Sequence, residues 1–182
     1  MSFMKRLFAA GLMVALASGA AFGSLTLKAT RFSPSDADFR SIYGGGTPFG
    51  GELSFGLGKN LEFWVGASSF SKKGKTTYTR EETSLSLLPI SGGLKVKLLP
   101  GKAICPYLAA GAEYVMFKET SPIGDVNANG IGWVGKGGFL IRLARFLGLD
   151  VHAAYSSCSI KTDDFTFNAG GFELGGGIVI IF

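Results

Sequence analysis

The sequence predicts an all-β chain of eight antiparallel strands closed into an up-and-down transmembrane barrel behind a cleaved leader. Three observations predict it. Gly is frequent, at 28 of 182 residues, and it sits among Phe, Leu, Val and Ile rather than in polar linkers, which marks strands that bend. The stretches GELSFGLGKNLEFWVGA, GLKVKLLPGKAICPYLAAGAEY and GFLIRLARFLGLDVHAAY repeat one hairpin grammar of alternation, a short turn containing Gly, then alternation again. The chain also finishes on GGGIVIIF, where a soluble domain would fray in polar residues, so these last side chains need something to hold them.

The elements follow in order. Residues 1–23 run from Lys5 and Arg6 through an apolar stretch, Leu7 to Ala17, to small residues at Ala21 and Gly23, the layout of a secretory signal peptide. The apolar stretch is shorter than the roughly 20 residues of a membrane helix. The mature domain is therefore expected over 24–182, and losing Lys5 and Arg6 takes the formal net charge from +5 to +3. That mild balance, on an exported chain, argues against nucleic acid as a partner.

Alternation places the strands at 25–32, 43–57, 61–70, 84–98, 104–117, 131–145, 149–158 and 171–182. The connections alternate between long polar segments (SPSDADFRSI, SKKGKTTYTREET, KETSPIGDVNANG, SCSIKTDDFTFNA) and three short turns. Strands of about ten residues with short turns at one end and long loops at the other are the pattern of an outer-membrane barrel, with both termini at the periplasmic end. Such a barrel leaves no open edge in lipid only if the last strand pairs with the first. Phe182 then lies at the periplasmic interface.

The closing alternation FELGGGIVIIF resembles the last strand of bacterial outer-membrane barrels, and LPISGGLKVKLLPGKAICPYLAAGAEYVMF resembles the central hairpin of the outer membrane protein beta-barrel family, in its OmpW-like and OmpA/OmpX-type small members. The resemblance implies an assembly signal at Phe182, read by the barrel-assembly machinery. It also implies residence among outer-membrane lipid and lipopolysaccharide in a Gram-negative envelope.

Setting Phe182 outward assigns the two faces, because successive strand residues point opposite ways. Leu53, Phe55, Leu61, Phe63, Leu94, Val96, Leu108, Phe139, Leu149, Val151, Ile178 and Ile180 then face lipid. The interior receives Glu52, Glu62, Glu113, Asp150 and Glu173 against Lys28, Lys95, Lys97, Lys136 and Arg142, together with His152. Charges on the lipid face cost about 2–4 kcal/mol at the midplane, which explains their collection on the other face. An eight-stranded barrel has room only for its own side chains, so these ten charges are expected to pair and close the lumen. Tyr43, Tyr114, Trp133 and Phe172 fall near the loop end, facing out, as an aromatic girdle.

Other motifs carry less. GIGWVG at 130–135 has nucleotide-loop spacing, but an alternating strand follows it instead of a helix. DVNANG at 125–130 opens like a calcium loop, yet Lys136 stands where the closing Glu belongs, and turn chemistry at an Asx-rich loop tip explains the residues. His152 and Ser156 are four residues apart in a strand, about 13 Å, too far for one to activate the other. Cys105 and Cys158 fall at opposite ends of the barrel and are expected to stay unbridged.

No catalytic constellation, metal site or cofactor site is expected. The function read from the sequence is a charge-plugged barrel with a structural or surface-interaction role, whose loop charges contact lipopolysaccharide phosphates or another surface partner. The alternatives are a passive, OmpW-like conduit for small molecules and, behind it, a lipid-modifying enzyme.

Overall fold

In a strand whose alternate residues are apolar, one face is ready for lipid while the backbone pairs sideways, and the sheet must close because lipid satisfies no open edge. The computed structural model describes residues 23–75, 82–121, 124–161 and 166–182. Apart from Gly23, the leader lies outside these residues, as do Arg80, Glu81, Asp163 and Asp164 of the long connections.

The elements are β1 (Gly23–Pro34), α1 (Ala37–Tyr43), β2 (Phe49–Gly56), β3 (Leu61–Lys75), β4 (Glu82–Lys97), β5 (Ile104–Ser121), β6 (Gly124–Arg142), β7 (Leu147–Lys161), β8 (Thr166–Asn168) and β9 (Gly171–Ile181). Each strand from β1 to β7 pairs antiparallel with the next, and β9 pairs with both β7 and β1. The short β8 continues the register of β9 on β7, with Ser159 opposite Asn168 and Tyr155 opposite Phe172. It is the upper piece of the same stave, so the wall is a closed eight-stranded antiparallel barrel. The seam is sealed by reciprocal backbone bonds of 3.0 Å between Gly23 and Phe182. Opposing residues followed once around, from Gly23 through Phe55, Phe63, Leu94, Ala110, Gly135, Tyr155 and Phe172, lead back to Ser33, ten residues further up β1. That stagger is what tilts strands against a barrel axis.

Two expectations about the long connections differ from the structure. Residues 43–48 were expected in the second strand, but Ala37–Tyr43 is a helix and β2 begins at Phe49. The helix has its own local signals. The Asp36 carboxylate accepts the Phe39 N–H at 3.0 Å as an N-cap, and Gly44, at φ +60°, takes the left-handed turn after its end. Tyr43 therefore ends a helix instead of riding on a strand, and its side chain lies outside the described residues.

The middle connections, expected as loops, are largely ladder: β3 and β4 stay paired up to Lys75 opposite Glu82, and β5 and β6 up to Ser121 opposite Gly124. Only 9–11 tilted residues are needed to cross a bilayer, whereas β5 has 18 and β6 has 19. Beyond the apolar band the outer face turns polar, at Lys118 on β5 and at Asn127 and Asn129 on β6, while backbone pairing continues. DVNANG is thus part of strand β6, with Val126 and Ala128 packed inward, and not a loop tip.

Candidate functional site: the barrel lumen

The inward side chains form three storeys, legible along any rising strand. On β7 they are Asp150 and His152, then Ser156, then Cys158 and Ile160; on β5 they are Tyr107, then Glu113, then Val115 and Phe117.

The lowest storey, toward the short turns, is ionic. Glu52, only 5% exposed on β2, is met by Lys95 at 2.7 Å, by Lys28 at 3.8 Å and by Lys136 in direct contact. Lys95 also donates to the Ser54 hydroxyl at 3.0 Å. The two closer lysines lie on aromatic faces, Lys136 3.5 Å from the Trp64 ring centre and Lys95 5.0 Å from that of Tyr107. The ring quadrupole adds attraction there for charges already out of water. Tyr107 in turn donates to Asp150 at 2.8 Å, whose other oxygen lies 2.6 Å from His152 Nδ1. Nearer the turns, Lys97 pairs with Glu62 at 2.6 Å.

Three corrections to the expected pairing follow. Arg142, placed inside by alternation, is exposed at the end of β6 and makes no ion pair among the described residues. Alternation sets the direction of a side chain but not its depth, and Arg142 pairs with Gly148 at the barrel's edge. Glu113 and Glu173 are likewise outside the ion pairs; Glu173 accepts from the Thr30 hydroxyl at 2.9 Å, and Glu113 lies against Ser156. The charges are also not matched one to one, because three lysines from β1, β4 and β6 converge on a single carboxylate.

Above this network is a polar cavity of about 30 Å³ lined by Lys28, Glu113, His152, Ser156, Glu173 and the indole of Trp64, among others. It is large enough for water. Trp64 is 1% exposed, and its N–H is the one fully buried side-chain donor or acceptor without a protein partner among the described residues.

The top storey is apolar and was not anticipated. Phe32, Phe70, Leu85, Leu87, Val115, Phe117, Cys158 and Ile160 fill the lumen, and Phe39 of α1, Ala169 and the partly buried Phe167 of β8 cover it. Phe167 stacks on Phe39 at 6.3 Å and meets Phe117 edge-on at 5.1 Å. The Asn168 side chain pins this lid by accepting the N–H groups of Cys158 at 3.0 Å and Gly170 at 2.8 Å. The signal was present: the same inward parity that gives the charges gives Phe32, Phe70, Leu85, Leu87 and Phe117 when it is followed further up the strands. Both cysteines are buried and free.

Outside, Tyr114, Trp133 and Phe172 are exposed near the long-loop end, joined by Phe49 and by Tyr155, whose ring lies 5.7 Å from that of Trp133. Phe182 is exposed at the other end.

No protein-family model matches the chain, and no curated protein does. Solved structures do. The outer membrane protein OprG from Pseudomonas aeruginosa is similar at TM-score 0.68 and 14% identity, over 90% of this chain and 96% of that one. Neisserial surface protein A is similar at TM-score 0.63 and 18% identity, over 88% and 97%. The chain has the fold of the small outer-membrane β-barrels. The N-terminal barrel domain of Pseudomonas aeruginosa OprF shares this outer-membrane barrel fold at TM-score 0.58 and 11% identity, over 91% of this chain and all of that domain. In outer-membrane barrels the short turns face the periplasm and the long hairpins the exterior. The same orientation in this chain would put the ionic storey on the periplasmic side and the apolar storey outside.

Proposed function

We propose that this outer-membrane barrel is non-conducting and non-enzymatic, and that it serves a structural or surface-interaction role. The observation that carries the reading is the filled lumen, with a lysine-saturated Glu52 below and an aromatic-aliphatic plug under α1 and β8 above. His152 is held by Asp150 inside this sealed space, away from any substrate in lipid or water. The parts left to meet a partner are the outer hairpins standing beyond the apolar band, whose exposed Arg40, Lys118 and Lys161 suit lipopolysaccharide phosphates. Phe182 at the seam is the group the barrel-assembly machinery would read.

Planar-bilayer recording of the refolded protein tests the proposal. No steady current is expected at ordinary voltages, and a stable open channel would overturn it. The second reading, a conduit for small apolar molecules, is favoured by one observation. The outer wall is reduced to Gly92, Ala110, Gly135, Gly137 and Ala153 on four neighbouring strands, which leaves a dimple in the lipid-facing surface. Uptake of an apolar dye into protein-containing vesicles, absent from protein-free ones, would promote that reading.

A further inference from the structure

The three short turns share a composition that the lumen does not explain. They read GLGKN at 56–60, LLPGKA at 98–103 and, with the last residue of β6, RLARF at 142–146. Each holds at least one exposed cation: Lys59 in the first, Lys102 in the second, Arg142 and Arg145 in the third. None of the four takes part in an ion pair among the described residues. The turns contain no Asp or Glu, and Glu62, the side-chain acid nearest to them in sequence, is already held by Lys97 at 2.6 Å.

Beside every cation stands an exposed apolar side chain. Leu57 precedes Lys59, Leu98 and Leu99 precede Lys102, and Leu143 and Phe146 flank Arg145; Phe146 is 65% exposed. In water such residues would be a liability. At the end of a lipid-embedded wall they sit in the hydrocarbon boundary, and Lys and Arg stems extend past them toward the head groups. That geometry puts ammonium and guanidinium groups at phosphate depth around the rim. A zwitterionic head group brings its own cation to this level and gains little from another. An anionic one gains a counter-charge, and a guanidinium fork offers it two parallel hydrogen bonds.

We propose that the periplasmic rim formed by Lys59, Lys102, Arg142 and Arg145 is a binding surface for anionic phospholipid head groups of the inner leaflet, of the phosphatidylglycerol type. Each cation at an anionic lipid surface is worth about five-fold in local preference, and the effect falls with salt. Lys59, Lys102 and Arg145 lie in the turns and Arg142 is exposed at the last position of β6, so replacing these side chains leaves the lumen network untouched.

The test uses the full mature chain refolded into vesicles of phosphatidylcholine containing one-tenth phosphatidylglycerol. The protein is extracted with its adjacent lipid by a styrene–maleic acid copolymer, and the lipids are counted by mass spectrometry. Phosphatidylglycerol should be enriched severalfold over the bulk ratio, less so in high salt. In the quadruple variant Lys59→Gln, Lys102→Gln, Arg142→Gln, Arg145→Gln it should return close to bulk. The gel shift between unheated and heated samples reports folding. If the quadruple variant fails to fold, the pairs Lys59→Gln, Lys102→Gln and Arg142→Gln, Arg145→Gln should each lose part of the enrichment. A bulk ratio around the wild type overturns the proposal, and so does enrichment that survives in the quadruple variant, which would assign it to the outer end.

Discussion

Replacing Glu52 with Gln keeps the shape of the side chain and removes the one charge on which Lys28, Lys95 and Lys136 converge. In the wild type each lysine lies within 4 Å of that carboxylate, with Lys95 and Lys136 buried and Lys28 half-buried. Two unit charges about 5 Å apart repel by about 3 kcal/mol at an effective dielectric of about 20. Leaving a buried charge uncompensated costs about 3–5 kcal/mol, and three lysines share that fate here. Glu52→Gln should therefore cost at least about 3–5 kcal/mol. Lys136→Met is a different perturbation, because Glu52 keeps Lys95 at 2.7 Å and Lys28 at 3.8 Å. Its cost should stay near 1–2 kcal/mol, much of it the lost contact with the Trp64 ring. Arg142→Met, at an exposed position outside the network, should fall within about 0.5 kcal/mol of wild type. Urea unfolding of the three variants in lipid vesicles, followed by tryptophan emission, measures all of this. If Lys136→Met cost as much as Glu52→Gln, the lumen would be a set of matched pairs and the hub would be wrong. If Glu52→Gln were neutral, water would reach the lysines.

Three further outcomes are expected. Phe182→Ser should sharply reduce the yield of folded, heat-modifiable barrel, because the ring packs over Gly23, where an added Cβ would come within 2.6 Å of it, at the closing seam; a normal yield would refute that role. Gly111→Ala should destabilise by about 1–3 kcal/mol in the same urea assay, since its Cβ would meet the Gly92 carbonyl oxygen at 2.2 Å, whereas Gly58→Ala, with open space around it, should be silent. Mass spectrometry of the non-reduced protein should find Cys105 and Cys158 as free thiols, and a bridge between them would contradict the strand order.

The lipid and lumen faces could be written from the sequence because the side-chain period of a strand is two and a misplaced charge in lipid is costly. Once Phe182 was set outward, Leu94, Leu108, Trp133, Val151 and Ile178 had to face lipid, and Lys95, Glu113, Lys136 and His152 had to face in. The structure orients them so. Helix α1 was also written locally, in Asp36 and Gly44, but a scan for long periodic runs passes over seven residues set almost wholly within the polar connection SPSDADFRSI. The extra length of β5 and β6 was hidden for the opposite reason: above the bilayer the outward face is free to be polar, and alternation no longer reports a strand that backbone pairing still maintains.

Depth and partnership belonged to the tertiary structure alone. The stagger of ten residues around the wall brings Lys28, Lys95 and Lys136, from three separate strands, to the level of Glu52, and leaves Arg142 on the rim. No single strand encodes that stagger, because it is a property of the closed ring, fixed only when β9 meets β1. The same closure turns isolated inward residues such as Phe70, Leu85 and Ile160 into one packed plug. Which way each side chain points is therefore a local fact of this sequence, and whom it meets is decided by the closing of the barrel.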